Sequence, residues 1–294
     1  MTAIRALLAG IVDYAGLFPP AALDMPAAVR NYASYRAEDT AWMLGRFVVP
    51  VNRLDEFQAA RAALGVDDHP EWRLSGLVGT DVAADIARVQ AFNAAQAGRS
   101  SVDSLEARLP TVEAIVAAAK ASAESSCSLY AEIPLEPDPA PLIDAIAEAG
   151  INAKIRTGGL TPDVFPTPEQ VVRVVRRCVE RGVRFKATAG LHHPLRAEYP
   201  LTYDAGAPVG LMYGFMNVFL AAGLMHEGMT DEDAMRLLDE RNPAVFVVTS
   251  SGIAWGDFRL SAVQLRRIRG DVAVSFGSCS FREPVDELRA LTLI

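Results

Sequence analysis

The chain has few cysteines, no long apolar run and no excess of positive charge, and each deficit excludes a class of protein. Its 294 residues include three cysteines, at positions 127, 178 and 279, whose spacing gives neither a disulfide framework nor a zinc motif. No apolar stretch approaches the ~20 residues that a membrane-spanning helix needs, and residues 1–17 lack the cleavage site of a signal peptide. The net charge of −8 argues against a nucleic-acid surface, which needs a basic stripe. We therefore expect a cytoplasmic protein with no membrane or nucleic-acid partner.

Two cofactor signatures are also missing from the sequence. It contains neither a glycine-rich dinucleotide fingerprint nor a phosphate-binding loop, so we expect no cofactor. Hydrophobic residues make up 51% of the chain and charged residues 22%, which is typical of a soluble globular protein. The expected partner is a small-molecule substrate, and a homo-oligomer is compatible with the same composition.

Short β-rich runs alternate with longer helical runs, which predicts parallel strands joined by right-handed crossovers. Eight strands in ~250 residues match a single (β/α)₈ barrel. An open doubly wound sheet is the alternative, but its central strands are expected to be almost wholly apolar, whereas several runs here carry charges near their C-terminal ends. The predicted strands are Met43–Val49, Leu74–Gly79, Ser104–Leu109, Leu129–Ile133, Ala153–Thr157, Arg184–Ala189, Val245–Thr249 and Val272–Phe276.

Two stretches interrupt the alternation of strands and helices. Residues 1–40 precede the first predicted strand and are interpreted as an N-terminal extension that packs on the barrel of residues 41–294. Within this extension, the segment 13–20 is rich in aromatic residues and proline, and we favour a plug at the barrel bottom over a ligand contact. Residues 194–242 form a helical insertion after the sixth strand, which we expect to cover the barrel mouth or to form a subunit contact through its apolar helix 211–224.

A lysine lies near the end of each of two successive predicted strands. Lys154 and Lys186 are separated by the helical stretch Pro168–Arg181, whose length suits a crossover between neighbouring parallel strands. Both amines would then reach one cleft. An amine beside another cation has a lowered pKa, and a neutral lysine attacks carbonyl groups. The alternative is that both lysines are structural and ion-paired.

Alternation along the strands places other charged residues on the same face as the lysines. Burying lysine or arginine against apolar helices is costly, so this face is expected to line the lumen. It predicts a mixed cluster that contains a nucleophilic amine, an acid/base carboxylate and a cationic clamp. We expect the carboxylates to pair mainly with Arg156 or Lys186, which would leave Lys154 the less compensated amine. The predicted cluster is Glu106, Glu132, Lys154, Arg156 and Lys186.

Residues 154–191 resemble the paired lysine motifs of the deoxyribose-phosphate aldolase family. That family has Lys-Thr-Ser-Thr-Gly on one strand and Val-Lys-Ala-Ser-Gly-Gly on the next. This chain has Lys-Ile-Arg-Thr-Gly from Lys154 and Phe-Lys-Ala-Thr-Ala-Gly around Lys186, with Arg156 where the family has a small hydroxyl residue. The resemblance implies that Lys154 forms a Schiff base and that Lys186 lowers its pKa. In the family, the two motifs lie one strand later than in the strand list above.

Further residues are candidates for substrate binding because they follow predicted strands. His192 and His193 come directly after the sixth predicted strand. Because histidine titrates near neutral pH, one of them could act as a general acid or base. The alternatives are a structural His-Pro turn and, with Glu106 or Glu132, a metal site. Loops after the last two strands of such barrels often hold phosphate or carboxylate groups. The candidate substrate-binding residues are Arg156, Thr188, His192, His193, Ser251, Gly252, Ser278 and Arg282.

Three functions remain open at this point. The first is an aldolase-like or lyase-like enzyme that acts on a small carbonyl compound, phosphorylated or carboxylated, by Schiff-base or acid–base chemistry. The second is a metal-dependent lyase or isomerase that stabilises an enolate with Glu106 and Glu132. The third is a non-catalytic barrel with a structural charge cluster.

Overall fold

The computed structural model describes residues 2–65 and 71–294. The strands in these ranges are β1 (Val12–Tyr14), β2 (Leu44–Pro50), β3 (Trp72–Leu77), β4 (Ser100–Arg108), β5 (Ser128–Glu132), β6 (Asn152–Arg156), β7 (Phe185–Thr188), β8 (Ala197–Pro200), β9 (Val209–Met212), β10 (Phe246–Val248), β11 (Gly252–Trp255), β12 (Phe258–Ser261) and β13 (Ala273–Ser278). The helices are α1 (Ala3–Leu8), α2 (Met25–Arg36), α3 (Leu54–Ala62), α4 (Val82–Ala95), α5 (Val112–Ser122), α6 (Ala140–Glu148), α7 (Pro168–Arg181), α8 (Phe215–His226), α9 (Asp231–Leu238), α10 (Ala262–Asp271) and α11 (Arg282–Ala290). Short 3₁₀ turns cover Ala41–Met43, Val51–Arg53, Pro162–Val164 and Pro243–Val245.

Eight parallel strands close into a barrel, which confirms the predicted (β/α)₈ fold. Around the ring the order is β1, β13, β7, β6, β5, β4, β3 and β2. Closure depends on β1, which pairs with β13 on one side and with β2 on the other. Residues 1–40 are therefore not an extension that packs on the barrel, because they contain its first strand. Three residues are too few to show the alternation by which a strand is found in a sequence.

The stretch 245–249 was predicted to be a barrel strand, and this prediction is wrong. Instead, β10 pairs antiparallel with β11, and β11 pairs antiparallel with β12, so these three strands form a separate small sheet. A short run of β-branched residues has the same appearance in either setting. With β1 counted first, Lys154 lies on the sixth barrel strand and Lys186 on the seventh.

The crossover helix α7 sets the relative position of these two strands. Its N-terminus has a capping box, in which the Thr167 side chain accepts from the Gln170 backbone and the Gln170 side chain accepts from the Thr167 backbone. Its C-terminus ends at Gly182, whose φ of 64° is the left-handed conformation that glycine adopts without strain. Four valines of this helix are buried in the hydrophobic core. The helix thus begins and ends at positions set by the sequence, and β6 and β7 become direct neighbours.

The insertion 194–242 follows the seventh barrel strand and has two parts with different roles. The hairpin of β8 and β9 contributes residues to a cavity at the barrel mouth, as one version of the prediction required. Helix α8 is buried from Phe215 to Met225 and packs against α7, α9, α10 and β13. It is one of the barrel's own helices, so the version in which its apolar face forms a subunit contact is wrong.

Asn217 is a polar residue on this apolar helix, and its side chain is hydrogen-bonded at both ends. It is fully buried, and its Oδ1 accepts from the Arg196 backbone at 3.1 Å while its Nδ2 donates to the carbonyls of Leu237 and Glu240, both at 2.8 Å. A buried amide with all these partners costs little. It ties α8 to the end of α9. Across the described residues, no helix has the length and apolarity that crossing a membrane would require.

We expect Val218→Ala in α8 to lower the free energy of unfolding by roughly 2 kcal/mol, because it leaves a cavity in a packed interior. The matched control is Val116→Ala in α5, where the side chain is exposed and the change is expected to stay within about 0.5 kcal/mol. Denaturant unfolding of both variants measures the difference. Equal stability of the two variants would contradict the internal position of α8.

Candidate active site

Strand register places three charged residues in one row across the barrel. Glu132 on β5 is the Cα partner of Lys154 on β6, and Lys154 is the Cα partner of Lys186 on β7. Neighbouring strands lie ~4.8 Å apart, and residues in register point to the same side. The alternation argument therefore predicted correctly that these side chains converge.

Glu106 of β4 connects the two lysines. Its Oε2 lies 2.8 Å from the Lys154 ammonium nitrogen, and its Oε1 lies 3.2 Å from that of Lys186. The Ser75 hydroxyl also donates to Oε1, at 2.6 Å. Glu106 is 6% exposed, and the two lysines are 5% and 2% exposed, so all three charges are held away from bulk water.

Lys186 has the more complete set of partners. Its nitrogen lies 2.9 Å from Asp13 Oδ2, donates to the Ser104 hydroxyl at 3.1 Å, and lies 4.6 Å from the centre of the Tyr130 ring. Asp13 was not predicted to belong to the charge cluster, and it lies in the cavity wall and not in a plug at the barrel bottom. The sequence analysis did not predict strand β1, and for that reason it did not place the Asp13 carboxylate in the lumen.

Lys154 is held between two carboxylates. Besides Glu106, its nitrogen contacts Glu132 Oε2 at 2.8 Å, and Glu132 Oε1 accepts from Arg156 at 3.1 Å. The expectation that the carboxylates pair mainly with Arg156 or Lys186, and so leave Lys154 with a lowered pKa, is wrong. Burial lowers the pKa of both lysines, but the adjacent carboxylates outweigh burial and raise both pKa values above the usual lysine range. Both amines are therefore ammonium groups at neutral pH.

The carboxylates respond in the opposite sense. Burial raises the pKa of Glu106 and of Glu132, but the lysine charges are stronger and hold both pKa values below the usual range. Lys154, Lys186 and Arg156 thus face Asp13, Glu106 and Glu132 as three cations against three carboxylates. The cluster is a neutral ion network in its resting state.

A cavity of about 430 Å³ opens above this network. Its walls come from the ends of the barrel strands, from the loop after β6 and from the hairpin of β8 and β9, which covers the mouth. The predicted residues that line it are Glu106, Glu132, Lys154, Arg156, Lys186, Thr188, His192 and His193.

Four predicted substrate-binding residues do not line this cavity. Gly252 is the first residue of β11 in the antiparallel sheet, and Ser251 precedes it, with its carbonyl accepting from the Ala262 backbone. Arg282 is exposed and pairs with Glu38 at 2.8 Å. Ser278 is buried behind the wall, where its hydroxyl donates to the Ser280 carbonyl at 2.7 Å. The first two failed with the misassigned strand. Ser278 is the last residue of β13 and Arg282 is the first residue of α11, and neither side chain lines the cavity.

The two histidines have separate partners on α11. His192 Nδ1 lies 3.0 Å from Glu283 Oε2, and both residues line the cavity. Burial lowers the pKa of His192, but contact with Cys279 and with Glu283 raises it to about 9. His193 Nδ1 lies 2.5 Å from Glu287 Oε1, and its ring stacks on Tyr199. Glu283 was missed because its contact with His192 spans 91 residues.

No group of histidine, cysteine, aspartate or glutamate side chains in the described ranges has the arrangement of a metal site. Both oxygens of Glu106 already face ammonium groups, and two cations beside a carboxylate oppose the approach of a third. The chain matches no protein-family model and no curated protein, so its function is argued from the geometry of this cavity.

We expect Glu106→Gln to lower the free energy of unfolding at pH 7 by about 3–5 kcal/mol, because it leaves two buried ammonium groups with one carboxylate fewer. The depressed pKa of Glu106 stabilises the fold above the usual glutamate pKa, and this contribution is lost as pH falls through the folded-state value. The variant is therefore expected to lose less stability on acidification than the wild type.

The matched control for this prediction is Glu56→Gln, which breaks an exposed pair with Arg53 and is expected to cost less than about 1 kcal/mol. Urea unfolding at pH 7 and at pH 4 measures both variants. A cost for Glu106→Gln no larger than for Glu56→Gln would show that the network is not a coupled, buried unit.

Proposed function

We propose that the protein is an enzyme that acts on a small carbonyl compound through an imine on Lys154, in the manner of an aldolase or lyase. The observation that carries this proposal is the position of the Lys154 amine, in the wall of a covered cavity between two carboxylates. Such a site binds a cation at the amine position and leaves room for a carbon skeleton above it.

Lys154 suits the nucleophile better than Lys186 does. An ammonium group has three donors, and Lys154 uses two of them on Glu106 and Glu132. Lys186 is surrounded by Asp13, Glu106 and two serine hydroxyls. Lys186 therefore supports Lys154 as a neighbouring cation, which shares Glu106 with it and disfavours a second positive charge on Lys154.

The charge balance of the cluster favours iminium formation. Lys154 first gives its proton to Glu132, the more exposed of its two carboxylates. Its lone pair then adds to the carbonyl carbon, and Glu132 returns the proton to the oxygen, which gives a carbinolamine with a protonated nitrogen. Glu132 then takes a second proton from this nitrogen and passes it to the hydroxyl group, which leaves as water while the C=N bond forms. The iminium that results carries the same positive charge as the original ammonium. The two carboxylates therefore stabilise the ammonium, the iminium and the positively charged transition states between them.

Lysine is scarce in this chain, which supports amine chemistry. Of the 28 lysines and arginines, three are lysines, at positions 120, 154 and 186. Two of the three lie in the cavity wall. Arginine pairs with carboxylates at least as well as lysine but does not lose its proton in proteins, so a purely structural network has no need of lysine at these two positions.

The resemblance to the deoxyribose-phosphate aldolase family gives further support. With β1 as the first barrel strand, the two lysines lie on the sixth and seventh strands. This is one strand later than the sequence-based count, and it is the position that the family's motifs imply. Arg156 remains a difference, and in this chain it pairs with Glu132.

Borohydride reduction in the presence of short aldehydes and ketones is expected to attach substrate covalently to Lys154. Peptide mass mapping of the reduced protein identifies the modified residue. Lys120→Arg serves as the parent, because it removes the remaining lysine, which is exposed, and lowers the background. Lys154→Met in this parent is expected to abolish labelling, since an imine needs a primary amine. Equal labelling of the parent and of Lys154→Met would refute the proposal and favour a structural network.

The pH at which labelling begins is expected to move in opposite directions in two variants. Glu132→Gln removes an anion beside Lys154 and lowers its pKa, so labelling starts at lower pH. Lys186→Met removes a neighbouring cation and raises the pKa of Lys154, so labelling starts at higher pH. Each shift is expected to be about 1–3 pH units. Labelling rates between pH 5 and 10, on samples whose circular dichroism matches the parent, measure both; shifts of the same sign would contradict the assignment.

A further inference from the structure

The wall of the cavity contributed by α11 carries a carboxylate where such barrels often hold phosphate. Helix α11 follows the last barrel strand, and Glu283 lies in its first turn. Loops and helix N-termini at this place frequently bind phosphate groups, because the first amides of a helix are free donors and the helix dipole favours negative charge.

In this chain the protein's own groups already fill that role. The Glu283 amide donates to the Ser280 hydroxyl at 3.2 Å. Its carboxylate supplies the negative charge that the dipole favours, and it accepts from the imidazole of His192, which is buried. A phosphate entering here would meet a carboxylate and would find a first-turn amide already occupied.

The charges around the cavity leave no surplus for a dianion. The described residues that line it include four carboxylates, Asp13, Glu106, Glu132 and Glu283. They also include Lys154, Arg156 and Lys186, and the pKa of about 9 makes His192 a fourth cation at neutral pH. His193 is matched separately by Glu287 outside the cavity. Four negative and four positive charges balance, so a phosphate would be taken out of water without a free counter-charge.

The upper walls of the cavity are apolar instead. They come from three separate segments, namely the loop after β1, the loop after β6 and the hairpin that covers the mouth. Burying each methylene of a ligand against such a surface strengthens binding about fourfold. The residues concerned are Phe18, Pro20, Leu160, Val164, Leu201 and Met212.

We propose that the substrate is an unphosphorylated carbonyl compound with an apolar chain, and that Glu283 excludes phosphorylated analogues while it holds His192 in the wall. The inference rests on the proposed function, in that it names the class of carbonyl compound which reaches Lys154. It assigns to Glu283 a role in specificity.

The first experiment compares labelling rates in the Lys120→Arg parent at subsaturating concentrations. Propanal, butanal and pentanal are expected to label with rates that rise on the order of threefold for each methylene. Glycolaldehyde is expected to label at least about tenfold faster than glycolaldehyde phosphate, because of repulsion by Glu283. Faster labelling by the phosphate ester, or no increase along the alkyl series, would overturn the inference.

The second experiment changes the carboxylate. Glu283→Gln, which keeps the size and an acceptor for His192, is expected to reduce the preference against glycolaldehyde phosphate by about tenfold or more. The matched control is Glu287→Gln on the same helix. Glu287 pairs with His193 but does not line the cavity, so this substitution is expected to leave the preference unchanged. An equal effect of the two variants would overturn the role of Glu283.

A third measurement separates this inference from the proposed function. Isothermal titration with inorganic phosphate needs no imine chemistry. We expect no binding by the wild type at millimolar phosphate and measurable binding by Glu283→Gln. If no carbonyl compound is ever trapped, the proposed function fails, while titration still decides whether Glu283 excludes phosphate. Binding by the wild type that Glu283→Gln does not strengthen would refute the exclusion.

Discussion

The bridge made by Glu106 between two lysines is the interaction on which the site depends. Bringing an ammonium group out of water costs several kcal/mol, and this barrel does so twice in adjacent strands. The cost is offset because Glu106 places one oxygen against each amine, and because Glu132 and Asp13 each add a second carboxylate on the outer side of one lysine. Glu106, Lys154 and Lys186 thus each have charged partners on two different strands, so these ion pairs fix the strands relative to one another.

The convergence of the four central residues could be predicted from the sequence because it follows from two local rules. Side chains alternate along a strand, and charged side chains avoid the apolar side of a barrel wall. Together these rules place Glu106, Glu132, Lys154 and Lys186 in the lumen whatever the exact strand ends are. The helical length between the two lysines then makes their strands neighbours, as their register confirms.

What the sequence did not reveal depends on contacts between distant parts of the chain. β1 has three residues, and Asp13 meets Lys186 only because the barrel closes. The prediction for Lys154 failed for a related reason: counting charges on one face does not tell which carboxylate lies against which amine, and a shift of one residue in register changes the answer.

The stretch at 245–249 was misassigned because strand composition does not distinguish parallel from antiparallel partners. Glu283 lies on a helix, and nothing in its local pattern points to His192.

Closure of the ring between β1 and β13 also bears on how the protein folds. Asp13 accepts a hydrogen bond from Ser275, a partner 262 residues away along the chain. Loop-closure entropy disfavours such a contact until intervening structure has brought the strands together, and proteins rich in such distant contacts fold slowly. The amine of Lys186 acquires its Asp13 partner only when β1 has joined the barrel. Without β1, Lys186 would be buried with Glu106 as its one carboxylate partner, so the closure of the barrel and the completion of the site are expected to occur in a single cooperative step.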